Sequence, residues 1–185
     1  MTITTESPRH TITALVEDKP GVLNRISSMF RRRGYNIASL AVGHSEIENL
    51  SRMTFVVEGD VATVEQVTKN LHKLIDVIKV SDVSDGNCVS RELALVRVRA
   101  NVQTRSEIMQ MVDIFRANIV DVAPDSLIIE VTGDEDKVDS LQNLLRSFGV
   151  LEVMRTGTIA MDRGMDGSAE SQPAPAPRHR MESGL

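Results

Sequence analysis

The sequence predicts an α+β protein made of two consecutive β-α-β-β-α-β units followed by a tail. Three observations carry this. Apolar spacing switches between a two-residue and a 3.6-residue period in a fixed order, that order runs through twice, and the polar segment Ser84-Asp85-Gly86-Asn87 separates the passes near the middle of the patterned region. The units are read as 9–84 and 91–162, with 85–90 as linker and 163–185 as tail.

In the first unit, residues 10–17 read as a strand with Ile12, Ala14 and Val16 on one face. Residues 22–33 read as a helix whose apolar side holds Val22, Leu23, Ile26, Met29 and Phe30. Residues 36–46 and 50–58 read as strands around a polar connection, 61–75 as a helix striped by Val64, Val67, Leu71, Leu74 and Ile75, and 76–83 as the closing strand. In the second unit, Arg91–Arg99 alternates Ala94, Val96 and Val98 against Leu93, Leu95 and Arg97. Thr104-Arg105-Ser106-Glu107 has capping-box spacing and opens a helix carrying Ile108, Met111, Val112 and Phe115. Asn118–Val122 and Ser126–Thr132 are short strands joined through Pro124. Residues 134–148 form a helix ended by Gly149, and 150–159 form the last strand. This is the ferredoxin-like order, twice. Residues 163–185, with Pro173-Ala174-Pro175-Ala176-Pro177, lack an apolar stripe and read as disordered, and the first eight residues as frayed.

Composition narrows the function. Among 185 residues there is no Trp and one Tyr, so stacking on nucleic-acid bases is a poor expectation, and a net charge of −5 argues against phosphate-backbone binding. One cysteine, Cys88, precludes an internal disulfide and reads as an ordinary thiol. No apolar run reaches the roughly 18 residues of a membrane span, and the N-terminal segment lacks a secretory pattern, so the expectation is a soluble cytoplasmic protein. The four histidines are scattered without metal-ligand spacing, and phosphate-binding glycine motifs and a nucleophile elbow are missing. Asp134, Glu135 and Asp136 at a helix start suit the helix dipole better than acid/base work. No catalytic residue, metal ligand or cofactor on this chain is expected.

One turn stands out. The first strand ends at Glu17 and runs through Asp18-Lys19-Pro20-Gly21 into a helix beginning Val22-Leu23. A helix start offers free N–H groups and a positive dipole end to an anion. Asp18, together with Asn36 at the start of the next strand, supplies oxygens for an ammonium group, on the expectation that the two strand ends approach one another across a small pocket. Anion plus ammonium is the signature of a free amino acid. A Pro-Gly turn before a helix is equally expected from capping alone, and Asn36 is what tips the reading. Arg31-Arg32-Arg33 in the last helical turn complements the dipole and stays solvated. Helices on one face of each sheet leave the other open, and Leu15, Leu40, Val42, Thr54 and Val56 make parts of both faces apolar, so self-association as a homodimer is expected.

The first unit resembles an ACT domain, the ferredoxin-like module that binds amino acids at domain–domain interfaces. Longer segments are similar to the small regulatory subunit of acetolactate synthase: Glu17-Asp18-Lys19-Pro20-Gly21-Val22-Leu23, Arg33-Gly34-Tyr35-Asn36-Ile37, Leu50-Ser51-Arg52-Met53-Thr54 and Leu71-His72-Lys73-Leu74-Ile75-Asp76-Val77, with Arg91-Glu92-Leu93-Ala94-Leu95-Val96 and Ile114-Phe115-Arg116-Ala117-Asn118-Ile119-Val120-Asp121-Val122 in the second unit. The resemblance covers about residues 9–164. It implies a non-catalytic subunit. Its partner would be a large subunit that carries thiamine diphosphate, Mg2+ and FAD and makes acetolactate for branched-chain amino-acid synthesis. The small subunit would raise that activity and confer feedback inhibition, usually by valine. The ACT domains would pair as a homodimer. By position the effector site falls on Asp18, Lys19, Pro20, Gly21, Val22, Leu23, Asn36 and Ile37, with Val22, Leu23 and Ile37 lining a place for a branched side chain. Two other classes stand beside this. A stand-alone ACT-type amino-acid-sensing regulator of another enzyme or of transcription would call for a recognition helix that the pattern lacks. A small self-contained enzyme would call for a convergent catalytic set.

Overall fold

A computed structural model describes residues 8–84 and 86–164; Asp85, residues 1–7 and most of the expected tail, from residue 165 on, lie outside the described residues. The first unit contains β1 (Arg9–Glu17), α1 (Val22–Arg33), β2 (Asn36–His44), β3 (Leu50–Glu58), α2 (Val61–Leu71) and β4 (Val77–Asp82). The second contains β5 (Cys88–Arg99), α3 (Arg105–Ile114), β6 (Asn118–Val122), β7 (Ser126–Gly133), α4 (Glu135–Leu145) with a 3-10 turn at Arg146–Phe148, β8 (Val150–Arg155) and β9 (Ile159–Asp162). The sheets run β2-β3-β1-β4 and β6-β7-β5-β8, antiparallel throughout, so the second unit repeats the topology of the first.

Alternation puts one face of each sheet under its helices. In the first unit Ile12, Val16, Phe55 and Val57 meet Ile26, Phe30, Val67 and Leu71, and the Phe30 and Phe55 rings stack with centroids 5.4 Å apart. In the second, Ala94, Val96, Val98 and Ile129 meet Ile108, Val112, Leu141 and Leu145. With so few aromatics, aliphatic side chains fill both cores.

Four local expectations are corrected. The helix expected over 61–75 stops at Leu71, because Leu74 donates its N–H to the Leu71 carbonyl and Val77 to that of Leu74, tightening the chain so that β4 can start; Leu74 still packs on the core, but Ile75 is 86% exposed. The Thr104–Glu107 capping box does not form. Thr104 is already helical (φ −89°, ψ −19°) with no side-chain cap bond, and Asn101 Oδ1 instead accepts from the N–H groups of Gln103 and Thr104, each at 2.9 Å. The strand expected over 150–159 breaks at Gly157 (φ +82°) into β8 and β9. Finally β5 begins at Cys88, inside the expected linker, because Cys88–Arg91 pairs with β9 to make a short ribbon.

That ribbon reaches back over the helix-free face of the first sheet, where Met161 and Arg163 come to share a concavity with Thr13, Leu15, Arg52 and Thr54. At the break, Thr158 donates its N–H to Ser39 Oγ at 2.9 Å. A Cβ on Gly157 would lie 2.8 Å from Ser39 Oγ and 3.0 Å from the Leu40 carbonyl oxygen. Glycine therefore permits both the turn and the close approach of the two units.

Candidate functional site

The turn after β1 is pinned from three sides. Glu17 donates its N–H to the Asp76 carbonyl at 2.9 Å, and Asp18 its N–H to that of Asn49 at 2.8 Å. Asn49 takes a left-handed conformation (φ +62°) that turns the chain between β2 and β3. The Asp18 carboxylate lies 2.9 Å from His44 Nδ1, joining the turn to the end of the edge strand β2. Lys19 pairs with Glu17 and sits 3.3 Å from Asp76 Oδ1, while Arg25 Nη1 donates to Asp76 Oδ2 at 2.7 Å. Asp76 is only 2% exposed. Burial pushes its carboxyl up, but the hydrogen bonds and charges of Lys19 and Arg25 outweigh that and hold it below the usual carboxylate range. The Glu17 hydrogen bond, followed by that to Asp76, raises Lys19. Both cations are thus committed to the scaffold.

What remains open is the start of α1. Gly21 precedes it in the left-handed region (φ +91°, ψ −11°), and no side chain caps it. The first turn holds no acidic residue, and among the described residues the amides of Leu23 and Asn24 have no hydrogen-bond acceptor. By contrast α2 and α4 each have a side-chain cap, Asp60 and Asp134, which accept from the N–H groups of Thr63 and Lys137. A Cβ on Gly21 would meet nothing within 4 Å. The end of α1 is therefore an uncapped, accessible pair of donors with a positive dipole end behind it.

The expectation that Asp18 and Asn36 face one pocket fails within a single chain. Helix α1 has 12 residues and travels about 18 Å, carrying the chain to the opposite end of the sheet before β2 begins. The register agrees: Glu17 lies opposite Leu50, whereas Asn36 lies opposite Glu58 and gives its Nδ2 to Glu58 Oε2 at 2.5 Å. Of the apolar candidates, Val22 is buried in the core and Ile37 packs against it, leaving Leu23, 44% exposed, as the one beside the open amides. Pro20 enters the turn ahead of Gly21. The sequence pattern assigns none of His44, Asn49, Asp76 and Glu58 to this site. Asp76, a lone carboxylate between Ile75 and Val77, was the one visible signal.

Among the described residues no group of three or more His, Cys, Asp or Glu could hold a metal ion, and no helix is long and apolar enough to cross a membrane. Two family models match: "AHAS small subunit-like ACT domain" over residues 12–79, and "Small subunit of acetolactate synthase" over residues 91–164. The chain is 58% identical over 156 residues to a protein of Archaeoglobus fulgidus named a probable acetolactate synthase small subunit, covering 84% of this chain and 98% of that one. It is 50% identical over 161 residues to the acetolactate synthase small subunit of Mycolicibacterium smegmatis, covering 87% and 95%. The crystal structure of the small subunit from Thermotoga maritima superposes with a TM-score of 0.80 at 43% identity, covering 86% of this chain and 99% of that one. Two family models in tandem, long relatives and a shared fold agree, and the chain belongs to the acetolactate synthase small-subunit family.

Proposed function

We propose that this chain is the regulatory subunit that raises the activity of a large catalytic subunit and makes it sensitive to valine or a related branched-chain amino acid. Thiamine diphosphate, Mg2+ and FAD would reside on that large subunit in the cytoplasm. The observation that carries the reading is the uncapped start of α1 at Gly21. Its two open amides suit a carboxylate, the carboxylate of Asp18 in the preceding turn suits an ammonium group, and Leu23 offers an apolar contact.

A second copy supplies what one chain lacks. Strand β2 lies at the sheet edge, and its outer edge has no backbone partner among the described residues. Two β2 strands pairing antiparallel about a two-fold axis near Leu40 would bring Asn36 of one copy to the His44 end of the other, beside that copy's Asp18 turn. The homodimer thus completes a site that the fold keeps apart.

The test reconstitutes the large subunit with wild-type chain and with Gly21→Asp and titrates valine while following acetolactate formation. Asp is among the residues that enter the left-handed region most readily, and a Cβ here would meet nothing within 4 Å, so the strain stays in the turn while a negative charge enters the anion position. Half-inhibition should move to at least tenfold higher valine. Equal inhibition of both complexes would sink the assignment.

A further inference from the structure

We propose that the cleft between the two units is a second small-molecule site, in which the Glu92 carboxylate receives a primary ammonium group. Glu92 stands where the sequence pattern calls for an apolar residue. It continues the row Ala94, Val96, Val98 that faces the helices, and it is 6% exposed. A carboxylate at the end of a buried row costs stability unless something compensates it. The protein supplies only half of that compensation. Arg155 Nη1 lies 3.2 Å from Glu92 Oε1, yet Oε1 is buried without a hydrogen bond, and Arg155 Nη2 is turned to Asp139 and to Gln142 Oε1 at 2.9 Å. Burial pushes the Glu92 carboxyl up; Arg155 opposes this, while Glu135 and Asp139 add to it.

Glu92 opens onto a cavity of about 330 Å³ whose walls come from both units: Arg9 and Ser39 from the first, Glu135, Arg155 and Thr158 from the second. That volume suits a compound of amino-acid size, and junctions between domains are where such sites concentrate. The charges select the ligand. The charges lining the cleft balance, Arg9 and Arg155 against Glu135 and Glu92; Arg9 pairs with Glu135 and Arg155 is turned partly to Asp139, so Glu92 is the lining carboxylate whose Oε1 no hydrogen bond satisfies. A compact cation with several N–H donors meets that carboxylate, and an ammonium group has three. Within one chain the cleft lies toward the Arg9–Glu58 end of the first sheet, away from the Gly21 turn.

The experiment is calorimetry on the full chain with valine and with valinamide, which keeps the ammonium group and lacks the carboxylate. Wild type, Gly21→Asp, Glu92→Gln, Glu135→Gln and the combination of Gly21→Asp with Glu92→Gln are compared. Valinamide should bind Gly21→Asp as it binds wild type, and adding Glu92→Gln should weaken it at least tenfold. Glu135→Gln, on a half-buried side chain that also pairs with Arg9, should weaken it about threefold, with circular dichroism showing that the fold is kept. No binding of valinamide to Gly21→Asp, or equal binding with and without Glu92→Gln, overturns the proposal. Unchanged valine affinity in Gly21→Asp would instead count against the effector turn, so the two readings fail separately.

Discussion

Replacing Gly157 by Ala measures how tightly the second unit is seated on the first. Two costs are expected. The backbone at Gly157 is left-handed (φ +82°), which costs a residue with a Cβ about 1–2 kcal/mol. The Cβ would also fall 2.8 Å from Ser39 Oγ and 3.0 Å from the Leu40 carbonyl oxygen. Overpacking of that kind costs about 1–3 kcal/mol, and the backbone oxygen cannot swing aside as a side chain would. The sum is about 2–5 kcal/mol, or roughly 4–20 °C in melting temperature for a chain of this size. Gly34 supplies the control, since it has a similar conformation (φ +71°) with nothing within 4 Å of a Cβ. Gly34→Ala should show the conformational cost alone, and the difference between the two variants isolates the joint. Ser39→Ala in the Gly157→Ala background should recover only part of that difference, because the clash with Leu40 remains. The assay is urea and thermal unfolding followed by circular dichroism. Equal losses for Gly157→Ala and Gly34→Ala would show that the units are not seated as the Thr158–Ser39 hydrogen bond requires, and the reasoning would be wrong.

Arg25→Gln should cost about 1 kcal/mol at pH 7, a charge-assisted hydrogen bond discounted for the exposure of Arg25. The Asp76 carboxyl is held low in the folded chain, so its contribution is present above the unfolded value of about 3.9 and fades as pH falls through the folded one. With Arg25 gone, burial is opposed by Lys19 alone, and acid unfolding should move to higher pH; an unmoved midpoint by circular dichroism would contradict the arrangement. At the start of α3, Asn101→Ala should cost about 1 kcal/mol, whereas Glu107→Ala should stay within about 0.5 kcal/mol. Urea midpoints that reverse this order would restore the capping box.

The order of elements was legible because the apolar rows are nearly unbroken: Ile12, Ala14 and Val16, or Ala94, Val96 and Val98, can satisfy only one period. The misreadings sit where a distant partner decides. Thr156-Gly157-Thr158 passes for the polar positions of one long strand, and only the pairing of Ile159–Asp162 with Cys88–Arg91 shows the break. Asn101 and Thr104 both have cap chemistry, and the sequence does not reveal which residue is left outside the helix. Asp18 and Asn36 have the chemistry of an ammonium site but stand apart within one chain, because a helix as long as the sheet must part the strand ends that it connects. In the same way Val22 suited a ligand pocket by type, but its place on the inward stripe of α1 commits it to the core.

Strand β2 is where these arrangements meet, and its geometry lets them coexist. Its start bears Asn36, its end touches the Asp18 turn through His44, and its middle carries the seat of the second unit at Ser39 and Leu40. The hydrogen bond of the seat uses the Ser39 side chain, which stands off the face of the sheet, and Gly157 lies close to the Leu40 carbonyl without a hydrogen bond to it. A second copy could therefore pair along β2 while the second unit stays docked on its face. Face and edge are perpendicular, and a substitution that disturbs one leaves the other's hydrogen bonds in place. Gly157→Ala should then loosen the two units within a chain without dissociating a dimer held by β2, whereas proline at an edge position such as Val42, which removes an N–H from the strand, acts on β2 itself.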